Sequence, residues 1–134
     1  MLLLLFQNNR ILEGNATDLT NFDAGSFDVV IESLVFHHLS DEQKQAAISE
    51  ISRVLTPTGV FYFIDWIQPK GLYAKLSFKI VKVLDGNETT QAHETNRVLS
   101  MIEKYFTVVG DSLTIQTSVG TIGLIAYGRK PVQE

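Results

Sequence analysis

Two apolar strands on either side of one well-capped helix constrain this chain more than any other feature. Phe27 to Ser33 reads Phe-Asp-Val-Val-Ile-Glu-Ser, β-branched and almost continuously apolar, as expected of a central strand buried on both faces. Ser40 with Gln43 three residues on forms a capping box, and Asp41 and Glu42 complement the helix dipole. Ala47, Ile48, Ile51, Val54 and Leu55 then recur at helical spacing until Pro57 and Gly59 stop the helix. Val60 to Trp66 follows as a second two-faced apolar strand. Strand, helix, strand in this order calls for a right-handed parallel crossover, so the core is α/β.

The flanks are shorter signals. Arg10 to Glu13 is a candidate strand followed by a polar loop that ends in Asp23-Ala24-Gly25-Ser26. Leu72, Leu76, Ile80, Val83 and Leu84 predict a second helix, with Lys75, Lys79 and Lys82 along its other side as a solvated face. Thr95 to Phe106 predicts a third. Val108 to Thr117 and Thr121 to Arg129 are strand-like and separated by Ser118-Val119-Gly120, which suits a hairpin. The parallel core is thus expected to end in an antiparallel pair. With short connections and no internal repeat, 134 residues read as one domain.

Composition narrows the function classes. Eleven Lys and Arg against 15 Asp and Glu give a formal charge of -4, so no basic field gathers nucleic acid. The absence of cysteine removes disulfides, thiolate metal sites and a cysteine nucleophile, and points to a cytoplasmic location. Met1 to Phe6 is apolar but lacks a basic region and a cleavage site, and falls far short of the roughly 20 residues a spanning helix needs. No membrane span is expected. The two Asn-x-Thr matches at Asn15 and Asn87 are read as chance.

Four motifs then occur in order. They are Ile11-Leu12-Glu13-Gly14-Asn15-Ala16-Thr17-Asp18-Leu19, Gly25-Ser26-Phe27-Asp28-Val29-Val30, Leu34-Val35-Phe36-His37-His38-Leu39, and Arg53-Val54-Leu55-Thr56-Pro57-Thr58-Gly59. Together they closely resemble the class I S-adenosylmethionine-dependent methyltransferases, in particular the broad small-molecule, type 11-like branch, from about Asn9 to Arg129. The resemblance implies a Rossmann-like sheet of family order 3-2-1-4-5-7-6, with this chain supplying strands 3-4-5-7-6 and the C-terminal hairpin. Family strands 1 and 2 and the glycine-rich cofactor turn have no counterpart, since no Gly-x-Gly occurs in the sequence. The chain is therefore expected to be the C-terminal portion of the full fold. The strand Phe27 to Ser33 would then have an open edge, inviting Met1 to Phe6 to fold back or a second chain to cover it. Self-association is the favoured expectation.

The resemblance also places site residues. In open parallel sheets ligands sit beyond the carboxyl ends of the strands. Asn15, Ala16 and Thr17 are implied at the adenine end of the cofactor, and Glu32, Ser33 and Leu34 at its methionine end. His37 and His38 are expected near the reaction mouth, either as a base or as packing for the strand-to-helix turn. Asp65 and Trp66 face the substrate side as a contact and a stacking surface, or else as a hydrogen-bonded Asp and a half-buried core Trp. No metal is expected, because two adjacent histidines lack ligand spacing. Thr58 stands where the family usually has glycine, which predicts a strained turn of positive φ. The implied activity is small-molecule methyl transfer. Losing two charge-assisted bonds to the ribose would remove about 3–6 kcal/mol, so the chain by itself is expected to bind cofactor weakly, or to be a catalytically silent remnant or interaction module.

Overall fold

The computed structural model describes residues 2–7, 10–67, 97–118 and 120–131. The predicted helix over Leu72 to Leu84 and its lysine face lie outside these residues. The elements are β1 (Leu2–Gln7), β2 (Arg10–Asn15), β3 (Phe27–Ser33), a short 3-10 turn (Phe36–His38), α1 (Asp41–Val54), β4 (Leu55–Ile67), α2 (Arg97–Ile102), β5 (Phe106–Val108), β6 (Leu113–Gln116) and β7 (Thr121–Arg129).

One mixed sheet has the order β2-β1-β3-β4-β7-β5, with β6 also paired to β7. The predicted crossover is present, since β3 and β4 pair in parallel with Val30 opposite Phe61 and Glu32 opposite Phe63. β7 runs antiparallel to β4 through eight residue pairs from Val60–Gly128 to Ile67–Thr121. The expected hairpin closes β6 onto β7, where the Thr117 N–H donates to the Gly120 carbonyl at 2.8 Å.

The open edge predicted for β3 is filled from within the chain. β1 pairs antiparallel with β2 from Leu2–Asn15 to Gln7–Arg10, and antiparallel with β3 from Leu4–Ile31 to Phe6–Val29. One strand therefore stands where the family order has two, and it pairs with both neighbours, covering the edge of β3 from Val29 to Ile31. Since β1 is antiparallel to both, β2 and β3 point the same way. Ile31 is opposite Leu4, so Ser33 comes level with Leu2 and Asn15.

Helix α1 forms as its sequence dictates. The Ser40 hydroxyl accepts from the Gln43 N–H at 3.3 Å, and Gln43 Oε1 accepts from the Ser40 N–H at 3.0 Å. Replacing Ser40 by alanine is expected to lower stability by about 1 kcal/mol, measured by thermal unfolding. Near the other end of α1, Arg53 gathers the loop after β2. Its guanidinium donates to the carbonyls of Leu19 at 2.8 Å and Phe22 at 3.0 Å, while Glu50 accepts from the Leu19 N–H at 2.9 Å. Gly25, at φ +64°, makes the turn into β3, a conformation that carries no steric cost without a Cβ.

Three boundaries differ from expectation. The helix ends at Val54 and β4 begins at once, five residues before Val60. Pro57 disfavours helical backbone at Thr56, and the chain is extended from Leu55 onward. Thr58 consequently lies inside a strand, and Leu34 is the one non-glycine residue of positive φ among those described. α2 stops at Ile102, and Phe106 turns inward as the first residue of β5. The strand predicted over Val108 to Thr117 is broken between β5 and β6, where Gly110 takes φ +76°.

Register decides which face is buried. On β4, Phe61, Phe63, Asp65 and Ile67 are buried while Tyr62, Ile64 and Trp66 between them are half-buried. Alternation puts Asp65 on the same face as the two phenylalanines. Across the pair, Val30 and Glu32 of β3 share that face through their partners Phe61 and Phe63. Phe36, Phe106 and Tyr127 join Phe61 in a fully buried aromatic core, which also takes in Ala47, Ile48, Ile51 and Val54 of α1.

Candidate functional site

β3 ends at the turn that follows Ser33, and two buried carboxyls hold that turn. Glu32 Oε1 accepts from the N–H groups of Val35 at 2.8 Å and Phe36 at 3.1 Å. Asp65 Oδ2 accepts from the next N–H, that of His37, at 3.0 Å. Three consecutive backbone donors thus meet carboxyl oxygens, satisfying the free amino end of the 3-10 turn. Asp65 Oδ1 also meets His37 Nδ1 at 2.7 Å and accepts from the Trp66 N–H at 2.7 Å.

Burial governs the electrostatics. Glu32 and Asp65 are fully buried and His37 is nearly so. Removal from water, followed by the charge of Asp65, holds the Glu32 carboxyl well above the usual carboxylate range. Lys44 on α1 is also fully buried, and its Nζ donates to the Leu39 carbonyl at 2.6 Å. Burial lowers its affinity for a proton, against the opposing attraction of Asp41 and Asp65. Asp41 ties the start of α1 to α2 through Arg97 at 2.5 Å.

The sequence-predicted residues divide into two groups. Asn15, Ser33 and Leu34 are exposed and Thr17 is half-buried, and Asn15 and Ser33 end strands that finish at the same side of the sheet. Asn15 Oδ1 accepts from the Thr17 N–H at 3.2 Å and its hydroxyl at 3.0 Å, an Asx turn that leads the chain off β2. Leu34 adopts φ 54°, held there by its N–H donating to the Ile64 carbonyl at 2.8 Å. A branched side chain in the left-handed region stores strain, which is commonest at ligand sites.

Ala16, Glu32 and Asp65 are buried. Ala16 belongs to the core, so only its backbone can border a ligand. Glu32 faces the interior, and Asp65, of its two expected roles, makes the hydrogen bonds of the second, to the His37 N–H and ring, because the two-residue period of β4 directs it inward. His37 is the buried member of the histidine pair and His38 the exposed one, their rings 3.9 Å apart between centroids. Trp66 is half-buried. Lys44 was missed by the sequence reading, although its spacing to Ala47, Ile48 and Ile51 puts it on the apolar stripe of α1.

A parallel strand-helix-strand core, closed by antiparallel strands and with its polar residues gathered at the carboxyl ends, defines a Rossmann-like α/β protein. Residues 4–63 match the family described as "Methyltransferase domain". Over 58 residues the chain is 40% identical to an uncharacterized methyltransferase of Synechocystis, a stretch covering 43% of this chain and 27% of that one. An uncharacterized methyltransferase of Oceanobacillus iheyensis is 39% identical over 57 residues, 41% of this chain and 25% of that one. Among solved structures, the PH0226 protein from Pyrococcus horikoshii superposes with a TM-score of 0.66 at 19% identity, over 92% of this chain and 60% of that one. The N-methyltransferase NodS from Bradyrhizobium japonicum, solved with S-adenosyl-L-homocysteine, gives 0.61 at 15% identity over 88% and 53%. Over residues 4–63 the chain is similar to that methyltransferase domain, and the superposed structures share its Rossmann-like fold. The chain spans about a quarter of the length of the curated relatives it matches.

Proposed function

We propose that this chain supplies the adenine-side and methionine-side walls of an S-adenosylmethionine site for methyl transfer to a small molecule. The observation that carries the reading is the common level of Asn15 and Ser33 at the carboxyl end of the sheet, beside the strained Leu34. Two strand spacings separate them, about 10 Å, room for a ligand lying across the strand ends.

The fit to the cofactor is partial. Asn15 and Thr17 offer polar groups on the adenine side, and Ser33 and the backbone around Leu34 do so on the methionine side. Between them β1 runs antiparallel and brings its amino end, Leu2, to this side of the sheet. A strand in that direction leads no turn and helix into the site, and the sequence contains no Gly-x-Gly. The chain by itself is therefore proposed to bind cofactor weakly, and this is also the observation that favours the second reading, a catalytically silent sheet.

When bound, the cofactor supplies an electrophilic methyl group on a sulfonium, whose carbon–sulfur bond breaks as the acceptor's lone pair attacks. The chain's own part is alignment and, where the acceptor carries a proton, its removal. His38, exposed at the turn, and the second nitrogen of His37 are the groups proposed for that step. Asp65 contributes by holding His37. The absence of cysteine supports a cytoplasmic setting, and among the described residues no helix is long and apolar enough to cross a membrane.

A calorimetric titration with S-adenosylhomocysteine tests the reading, with amide spectra recorded on the same sample. The expected result is a millimolar or weaker dissociation constant, with shifts at Asn15 to Thr17 and at Ser33 to Leu34. Micromolar binding would mean a complete site. No shift at either segment at millimolar ligand would overturn the site and leave the silent sheet. Light scattering in the same buffer reads self-association. The pairing of β1 favours a monomer, and a dimer would place the partner on another surface.

A further inference from the structure

The donors and acceptors around Glu32 locate a proton. Asp65 is an acceptor at both oxygens, Oδ1 toward the Trp66 N–H and His37 Nδ1, and Oδ2 toward the His37 N–H. Glu32 Oε1 is an acceptor twice over, from Val35 and Phe36. Its second oxygen, Oε2, is buried and makes no hydrogen bond, and the two carboxyls hold consecutive N–H groups of one turn, Glu32 that of Phe36 and Asp65 that of His37. Two carboxylates side by side out of water do not both ionise. Asp65, to which the backbone N–H groups of His37 and Trp66 both donate, is the one that keeps the charge.

We infer that Glu32 is a neutral carboxylic acid with its proton on Oε2, and that it acts as a positioning residue: with the Asp65 carboxylate it locks the turn after β3 and fixes His37 as the Nδ1–H donor. A proton on Oε2 makes the orphaned oxygen a donor, with the Asp65 carboxylate on the same turn as the acceptor it would take. The assignment concerns the state of this turn and holds whether or not the chain transfers methyl groups.

Among the described residues, the charged groups that bear on the pair come from three further elements. Asp65 comes from β4 and His37 from the 3-10 turn, with His38 against its ring. From α1, Lys44 bears on Asp65, with Asp41 3.8 Å from its Nζ, and Arg97 of α2 neutralises Asp41.

The sign of the pH dependence follows. Glu32 holds its proton more tightly folded than unfolded, so its contribution is fully present below the ordinary glutamate value of about 4.3 and is lost as pH rises toward its raised folded value. Glu32→Gln mimics the neutral acid and abolishes that loss. Relative to the variant, the unfolding midpoint of the natural chain is expected to fall progressively above pH 4.3 and to level off once Glu32 ionises in the fold.

The direct test is carbon NMR of the natural chain with labelled Asp and Glu carboxyls, together with nitrogen NMR of labelled histidine. The expected result is one Glu carboxyl still in its acid form at pH 7, absent from the Glu32→Gln spectrum, and a protonated Nδ1 on His37. In Asp65→Asn the Glu32 titration moves to lower pH, because the neighbouring charge is gone. All Glu carboxyls titrating near 4–5 would overturn the assignment, and so would a bare Nδ1 on His37. Should Glu32→Gln fail to fold, the natural chain's spectrum at pH 7 decides alone.

Discussion

Replacing Asp65 by alanine is expected to destabilise the protein by about 3–5 kcal/mol, the usual cost of removing one partner from a buried charged network. The change strips acceptors from the His37 N–H, the His37 ring and the Trp66 N–H together. Each buried group left unsatisfied costs about 1–3 kcal/mol, and Lys44 keeps Asp41 but loses the attraction of Asp65 as well. The losses overlap, so they do not add in full. Urea unfolding measures the effect, with Ser33→Ala at an exposed position as a control expected to stay within about 0.5 kcal/mol. A loss below about 1 kcal/mol in Asp65→Ala would return Asp65 to the role of a solvent-side substrate contact.

The sequence left Asp65 open between a substrate contact and a hydrogen-bonded Asp, and what separates the two is register. β3 is legible from Phe27 to Ser33, and α1 from its capping box, because both depend on neighbours within a few residues. Lys44 is legible in principle, from its spacing to Ala47, Ile48 and Ile51. Asp65 closes a run that reads as apolar on both faces, and only counting by twos from Phe61 through Phe63 directs it inward. Glu32 is harder still. Its burial depends on standing opposite Phe63 in a parallel pair, and nothing local in Val30-Ile31-Glu32 specifies that register.

β1 shows the same division between pattern and partner. The apolar run after Met1 marks a strand-forming segment, and folding back was one of the outcomes it left open. That it pairs on both sides, with β2 and β3, is a tertiary fact that joins the carboxyl ends of the two strands at one level. The exposed site residues come from this arrangement. The buried ones come from the β3–β4 pair, so the site has a wall set by β1 and a floor set by the parallel core.

The floor is where the second large effect is expected. Phe61→Ala should cost about 3–5 kcal/mol, since the side chain is fully buried and a ring-sized cavity cannot close in a sheet centre. Phe61 packs against Phe106, Tyr127 and Phe36, at centroid distances of 5.5, 6.2 and 6.4 Å. It therefore couples the C-terminal strands to the turn after β3. Phe36 keeps its contact with Phe63 at 6.1 Å but loses its support from Phe61, so the N–H groups of Phe36 and His37 should exchange faster than those of α1 when stability is matched. Phe61→Leu, which retains most of the volume, should cost less than half as much. Denaturant unfolding gives the energies and amide exchange gives the location. A full loss of stability with no added exchange at Phe36 and His37 would show that the core supports the sheet without supporting the site.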